Sequence, residues 1–236
     1  MSTNKQSRFL LVKHSLGWNV DRCFLWMEKN DVAYDWCYPA SAQSFPNVED
    51  YSGVIIFGGA GSANDSEESQ WVRDELVFIE SCLKHGTPFF GICLGAQMLA
   101  RVLGSSVSAQ QQNQKQIGFH EVRPTANGTE FMPEPLKFMH WNGEGFDLPS
   151  DSVHLAYSEL FPNQAFKMDD RTFGVQFHPE VNLDALRIWH ERNKANLTGV
   201  LDDQTRAQHV ADAIACEESV TAWLDQFLIS WTNLSN

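Results

Sequence analysis

The sequence predicts an α/β fold, an open and mostly parallel sheet with helices on both faces that carries a β-rich, partly antiparallel insertion. Three observations predict it. Short apolar runs rich in β-branched and aromatic residues alternate with longer stretches of helical periodicity over the first hundred residues, which is the pattern of βαβ units. From Glu121 to Phe177 the pattern changes to short period-two runs separated by Pro, Asn, Asp and Gly. The last fifty or so residues return to helical spacing.

In chain order, residues 9–12 form the first apolar run and 21–29 the first helix. Residues 54–57 form the second run, followed by a helix over 70–85 whose apolar stripe is Trp71, Leu76, Ile79 and Leu83. A third run, 89–92, leads directly into a helix over 94–103 that Gly104 closes. Residues 110–114, all Gln or Asn, form a brief polar loop. Within the β-rich stretch, residues 153–157, 164–168 and 172–177 read as strands. Helices over 183–192 and 207–231 follow, joined by a polar linker around 199–204. We expect one domain over 1–236, with a helical C-terminal segment from about residue 183. A length of 236 residues with 43% hydrophobic content suits one large core better than two small ones.

Charge narrows the partners. With 17 Lys and Arg against 30 Asp and Glu, the formal net charge is −13. That balance would repel phosphate backbones and anionic lipid, so no nucleic acid and no membrane partner is expected, and a small molecule or another protein is. The early apolar run 9–12 is too short for a signal peptide or a membrane span, which points to a cytoplasmic protein. Five cysteines, an odd number without CxxC pairs, argue against both a disulfide framework and a structural zinc site. No metal or other cofactor is called for, and each thiol is judged alone.

Cys93 stands apart. It sits in Pro88-Phe89-Phe90-Gly91-Ile92-Cys93-Leu94-Gly95-Ala96-Gln97, where an apolar strand runs through a G-x-C-x-G turn straight into a helix. Glycines two before and two after relieve the crowding of a sharp strand-to-helix turn, so that the central residue projects above the sheet as the nucleophile does in a nucleophile elbow. A thiol at a helix N-terminus faces the positive end of the macrodipole, which favours thiolate, and the unpaired amides there can stabilise an oxyanion. Cys23, Cys37, Cys82 and Cys216 lack such a setting and read as buried structural cysteines. Gln97, one helical turn beyond Cys93, lies on the same face, where its amide could meet a substrate.

A base and its orienter come from the run Phe173-Gly174-Val175-Gln176-Phe177-His178-Pro179-Glu180. In an extended chain residues i and i+2 point the same way, and Pro179 cannot continue a central ladder, so His178 and Glu180 should both face the strand's end. A carboxylate there can hold the imidazole in its working tautomer, giving nucleophile, base and orienter for acyl transfer. The other seven histidines, His14, His85, His120, His140, His154, His190 and His209, read as structural. The run Val54-Ile55-Ile56-Phe57-Gly58-Gly59-Ala60-Gly61-Ser62 ends a strand in a Gly-rich loop. No Lys follows as in a phosphate-binding loop, and the loop would lie at the same sheet rim as Cys93, with its amides available to an oxyanion.

Taken together, Gly58-Gly59, the G-I-C-L-G-A-Q run and the Q-F-H-P-E run resemble the triad-type class I glutamine amidotransferases in order and rough spacing. The resemblance covers about residues 9–181 and is greatest to stand-alone proteins similar to the amidotransferase domain of GMP synthase. It implies a flavodoxin-like sheet, with Cys93 attacking the glutamine amide carbon, His178 as base and acid, and Glu180 as its partner. It also implies an oxyanion hole from the backbone amides of Gly59 and Leu94. Gln97 and the loop residues Trp141, Asn142 and Gly143 would then form the substrate pocket. This chain departs from the family pattern in three places: Asn142-Gly143-Glu144 where His-Gly-Asp is usual, Gln116 where Glu is common, and Ala60 after the two glycines where Pro is common.

The expected reaction is therefore hydrolysis of the glutamine side-chain amide through a Cys93 thioester, with the ammonia acceptor absent or supplied by a separate synthetase. The principal alternative is a γ-glutamyl peptidase or hydrolase that uses the same triad on a γ-glutamyl compound. A cysteine variant of the α/β-hydrolases is disfavoured because its acid precedes the histidine in sequence. A non-catalytic interaction protein is disfavoured because decay would be expected to reach the triad first.

Overall fold

The computed structural model describes residues 7–17, 19–110, 113–192 and 202–232. The strands are β1 (Arg8–Val12), β2 (Ala33–Cys37), β3 (Gly53–Ile56), β4 (Phe89–Ile92), β5 (Val107–Ala109), β6 (Gln116–Pro124), β7 (Leu136–Asn142), β8 (Glu144–Phe146), β9 (Val153–Tyr157), β10 (Ala165–Lys167) and β11 (Thr172–Val175). The helices are α1 (Arg22–Lys29), α2 (Gln70–His85), α3 (Leu94–Val102), α4 (Leu183–Arg192) and α5 (Asp203–Thr232). Among the described residues nine strands make one sheet in the order β2-β1-β3-β4-β11-β10-β9-β6-β7, and β5 pairs with β8 apart from it. The half from β2 to β11 is parallel. From β11 through β10, β9 and β6 to β7 each pairing is antiparallel. This is the open α/β sheet with a partly antiparallel extension that the sequence predicts.

Period-two alternation distributes the strand side chains between two buried faces. Phe9 and Leu11 of β1, Ile55 of β3, and Phe90 and Ile92 of β4 pack on one face with α1 and α5, whose Trp26, Met27, Trp223, Phe227 and Trp231 complete that layer. Leu10, Val12, Val54, Ile56 and Phe89 face the other way, against Val72, Ile79 and Cys82 of α2 and Leu94, Met98 and Leu99 of α3. A strand buried on both faces needs apolar residues at every position, which is why these runs read as continuous rather than alternating.

Several elements differ from expectation. The buried face of α2 is Val72, Glu75, Phe78, Ile79 and Cys82, whereas Trp71, Leu76 and Leu83 of the expected stripe are only partly buried. The helix is rotated because Glu75 turns inward to meet a histidine, as described below. β2 carries no strong apolar run: it is an edge strand, with Asp35 held by Arg8 at 2.7 Å. The β-rich stretch begins before Glu121, with the short strand β5 at Val107 and then β6 at Gln116. The final helix begins at Asp203, inside the expected linker, of which residues 199–201 lie outside the described residues, as do Gln111 and Gln112 of the expected polar loop. Among the described residues no helix is long and apolar enough to cross a membrane.

Candidate active site

Parallel strands β3, β4 and β11 end at one rim, and the loops leaving them meet there. Cys93 follows β4 and caps α3 with φ 50 and ψ −103, a left-handed backbone that an L-residue adopts only under constraint. The constraint is packing. A Cβ on Gly91 would lie 2.7 Å from the Gly95 backbone, and one on Gly95 would lie 2.3 Å from the Ile56 carbonyl oxygen. The two glycines thus let α3 press directly on β4 and the end of β3.

Past the end of β11, His178 donates its backbone N–H to the Met139 carbonyl at 2.8 Å, and Pro179 turns the chain so that Glu180 folds back. His178 Nδ1 lies 2.8 Å from Glu180 Oε1, with both side chains buried. With Nδ1 taken by Glu180, Nε2 is the ring nitrogen left free to serve the Cys93 thiol, which lines the same cavity. Burial opposes a charge on this ring, but Glu180 first and Cys93 second outweigh it and push the His178 pKa up to about 10. The edge of Trp189 stands perpendicular to the ring, 4.8 Å between centroids.

A cavity of about 300 Å³ opens over these groups. Cys93, His178 and Glu180 line it together with Lys13, His14, Gly58, Gly59, Trp141, Trp189 and Arg192. Gly58 brings the neighbouring loop against these groups, since a Cβ there would lie 2.5 Å from His178 Cε1 and 3.3 Å from Cys93 Cβ. Of the residues expected in the pocket, Trp141 lines this cavity. Gln97, Asn142 and Gly143 are not among its lining residues. The Gln97 amide is spent inside the protein, donating to the Glu144 carbonyl at 2.9 Å and to Gln176 Oε1 at 3.1 Å. Asn142 donates to the same carbonyl, and its Oδ1 is buried without a partner. Leu94 is buried in the first turn of α3.

Four features at the site were not legible in the sequence. Gln176 Nε2 donates to Cys93 Sγ at 3.5 Å. Arg22 donates to the Pro179 and Val181 carbonyls and pairs with Glu217 at 2.7 Å, bracing the His178 turn against α5. Trp189 packs on the catalytic-type imidazole. His14 pairs with Glu75 beside Gly58 and Gly59. The period-two spacing could have flagged Gln176, which shares a face with His178; nothing local distinguishes the other three. Among the described residues no group of three or more His, Cys, Asp or Glu is placed to hold a metal.

A buried thiol that shares a cavity with an imidazole oriented by a carboxylate is equipped for nucleophilic acyl transfer. A family model described as glutamine amidotransferase class-I matches residues 13–194. A glutamine amidotransferase-like protein of Salmonella typhimurium is 26% identical over 170 residues, covering 68% of this chain and 70% of its own. A glutamine-hydrolysing GMP synthase of Aliivibrio salmonicida is 30% identical over 180 residues, 72% of this chain but 32% of its own, so the chain spans about a third of that relative. The crystal structure of a glutamine amidotransferase from Thermotoga maritima superposes with a TM-score of 0.88 at 28% identity, over 96% of this chain and 98% of that one.

Proposed function

The chain belongs to the class I glutamine amidotransferase family, and from that premise we propose that it hydrolyses the side-chain amide of glutamine, with Cys93 as nucleophile, His178 as acid and base, and Glu180 as orienter. The observation that carries this is the buried Cys93, His178 and Glu180 arrangement at the floor of one cavity. With the thiol's proton already resident on His178, the sulfur attacks the amide carbon, forming a C–S bond while the carbonyl electrons move to oxygen. The backbone N–H groups of Gly59 and Leu94 receive that oxyanion. His178 then protonates the leaving nitrogen, the C–N bond breaks and ammonia departs. Water, deprotonated by His178, opens the γ-glutamyl thioester and restores the thiol. Trp141 would wall the bound substrate, and Gln97, Asn142 and Gly143 would support that wall from behind.

The ammonia is released to solvent or to an acceptor on a separate protein. One observation favours the γ-glutamyl peptidase alternative. The wall beside His178 is built of two indoles, Trp141 and Trp189, packed edge to face at 5.8 Å, an apolar surface that suits an amine larger than ammonia.

Release of ammonia or amine, measured side by side on glutamine and a set of γ-glutamyl dipeptides, tests the assignment. We expect slow turnover of glutamine by the isolated chain, loss of all turnover in Cys93→Ser, and labelling of Cys93 alone among the cysteines by a glutamine-like diazo-ketone. A kcat/KM on a γ-glutamyl peptide about a hundredfold above that on glutamine, or about 2.7 kcal/mol in transition-state binding, transfers the assignment to the peptidase. Turnover of neither, or full turnover by Cys93→Ser, overturns it.

A further inference from the structure

The loop that would supply the oxyanion donor is a pair of glycines, and glycine alone does not hold a peptide in one orientation. Something outside the loop must. Just past the end of β1, His14 is buried, with Nε2 2.9 Å and 3.0 Å from the two oxygens of Glu75 and Nδ1 3.2 Å from the Gly58 carbonyl oxygen. Glu75 is fully buried in the middle of the inward face of α2, a position the rest of that face fills with apolar side chains. A buried carboxylate at such a place is costly unless paired, and the histidine is its partner.

The hydrogen-bond partners fix the proton on Nδ1. A carbonyl oxygen only accepts, so the contact to Gly58 requires Nδ1–H whatever the state of Nε2. Burial works against a charged ring, yet Glu75 raises the His14 pKa, so the ring can donate from both nitrogens at once. Among the described residues no peptide bond is cis. In a trans peptide the carbonyl of one residue and the N–H of the next point in opposite directions. Holding the Gly58 carbonyl on the imidazole therefore turns the Gly59 N–H away from His14. The ring also closes off the alternative space, because a Cβ on Gly59 would lie 2.5 Å from His14 Nδ1. On its other side Gly58 abuts Cys93 and His178.

We propose that His14, anchored by Glu75, is a positioning residue that clamps the Gly58–Gly59 peptide with the Gly59 N–H presented to the oxyanion formed at Cys93. This rests on the amidase assignment above. The clamp touches neither the sulfur nor its base, so it should act on the stabilisation of the oxyanion and leave the thiol's own reactivity alone.

The test separates those two effects. In His14→Gln the side-chain amide takes the place of Nε2, keeping a donor for Glu75 while vacating the bond to Gly58. We expect kcat on the best amide substrate to fall about a hundredfold, the scale of losing one oxyanion donor. KM should stay within about threefold, and the rate of Cys93 alkylation by iodoacetamide, a displacement that forms no oxyanion, should stay within about twofold. The pair His14→Asn with Glu75→Gln puts an amide N–H where Nδ1 was and removes the unpaired charge; it should recover at least about tenfold of the lost kcat. A kcat for His14→Gln within about threefold of the wild type, a parallel fall in turnover and alkylation, or no recovery in the paired variant overturns the clamp alone. Should His14→Gln not fold, the paired variant decides: kcat within about tenfold of the wild type sustains the clamp, and a larger loss overturns it. A wild-type chain that turns over no amide overturns the amidase assignment and the clamp with it.

Discussion

At Cys93 the backbone stores strain for a purpose: a non-glycine residue at φ 50 costs on the order of 1–3 kcal/mol, and here that conformation lifts the sulfur out of the sheet and onto the N-terminus of α3. The division of labour between its two partners yields a graded prediction. In the proposed mechanism His178 handles the proton, whereas Glu180 fixes which nitrogen carries it, through the 2.8 Å contact at Nδ1, and stabilises the charged ring. His178→Asn removes the base and should lower kcat/KM by about a thousandfold, within the usual range for a general base. Glu180→Gln leaves a ring that still samples its working tautomer and should lose less, about tenfold to a hundredfold. Small and equal losses from both substitutions, in the same amide-release assay, would make the His-Pro-Glu corner a structural turn. The residues that carry this prediction were legible because each announces itself within a few positions, Cys93 by its flanking glycines and His178 by Pro179 and Glu180. His14 and Glu75 were not, being 61 residues apart in sequence and brought together only by the packing of α2 on the sheet. Arg22 likewise reaches carbonyls more than 150 residues away.

Helix α3 is the element on which the proposed site depends, since its N-cap is Cys93 and its first residue carries the Leu94 amide proposed as an oxyanion donor. Its seat against the end of β3 leaves no room for a side chain at Gly95, where a Cβ would meet the Ile56 carbonyl at 2.3 Å. The obstructing atoms are the backbone carbonyl and Cβ of the fully buried strand residue Ile56, so the helix must shift. Gly95→Ala should cost about 1–3 kcal/mol by overpacking, which for a chain of this size lowers Tm by about 2–12 °C. Because the shift moves the N-terminus of α3, turnover should fall by more than the loss of folded protein explains. An unchanged Tm would mean that α3 is not seated as described. At this scale the central elements were legible wherever burial is symmetric: β1 from Phe9 onward, β3 and β4 carry only apolar residues or glycine, and α3 carries its boundary glycines. The misjudged face of α2 has a physical cause, because hydrophobicity points to Trp71, Leu76 and Leu83 while a buried ion pair pulls Glu75 inward. Edge strand β2 was illegible for a related reason: exposed on one side, it has Asp35 where a central strand would carry an apolar residue.

Across the whole molecule the buried histidines fall into two groups with opposite linkage, and together they predict the shape of the stability curve. Burial lowers the His140 pKa to about 3 and, with its neighbour His209, lowers that of His190 to about 4. Below about pH 6.5 the unfolded chain protonates these rings and the folded one does not. The unfolded state then binds more protons, so stability rises with pH in this window and is lost as pH falls from about 6.5 toward 4 and below. His14 and His178 behave in the opposite way. Burial opposes their charge, but Glu75 raises the first and Glu180 with Cys93 raises the second to about 10. The folded state now binds more protons above pH 6.5, and the stability these pairs contribute, fully present below that pH, is lost as pH rises toward 10. Self-repulsion from a formal charge of −13 at pH 7 adds to the alkaline side. Both flanks meet near the ordinary histidine pKa, so Tm measured between pH 5 and 9 should pass through a maximum at about pH 6.5. Cys93→Ser removes one of the two groups that raise His178 and should flatten the alkaline flank without abolishing it, since Glu180 remains. A Tm that climbs steadily to pH 9, or an alkaline flank unchanged by Cys93→Ser, would show that the thiol does not hold the His178 proton in the folded protein.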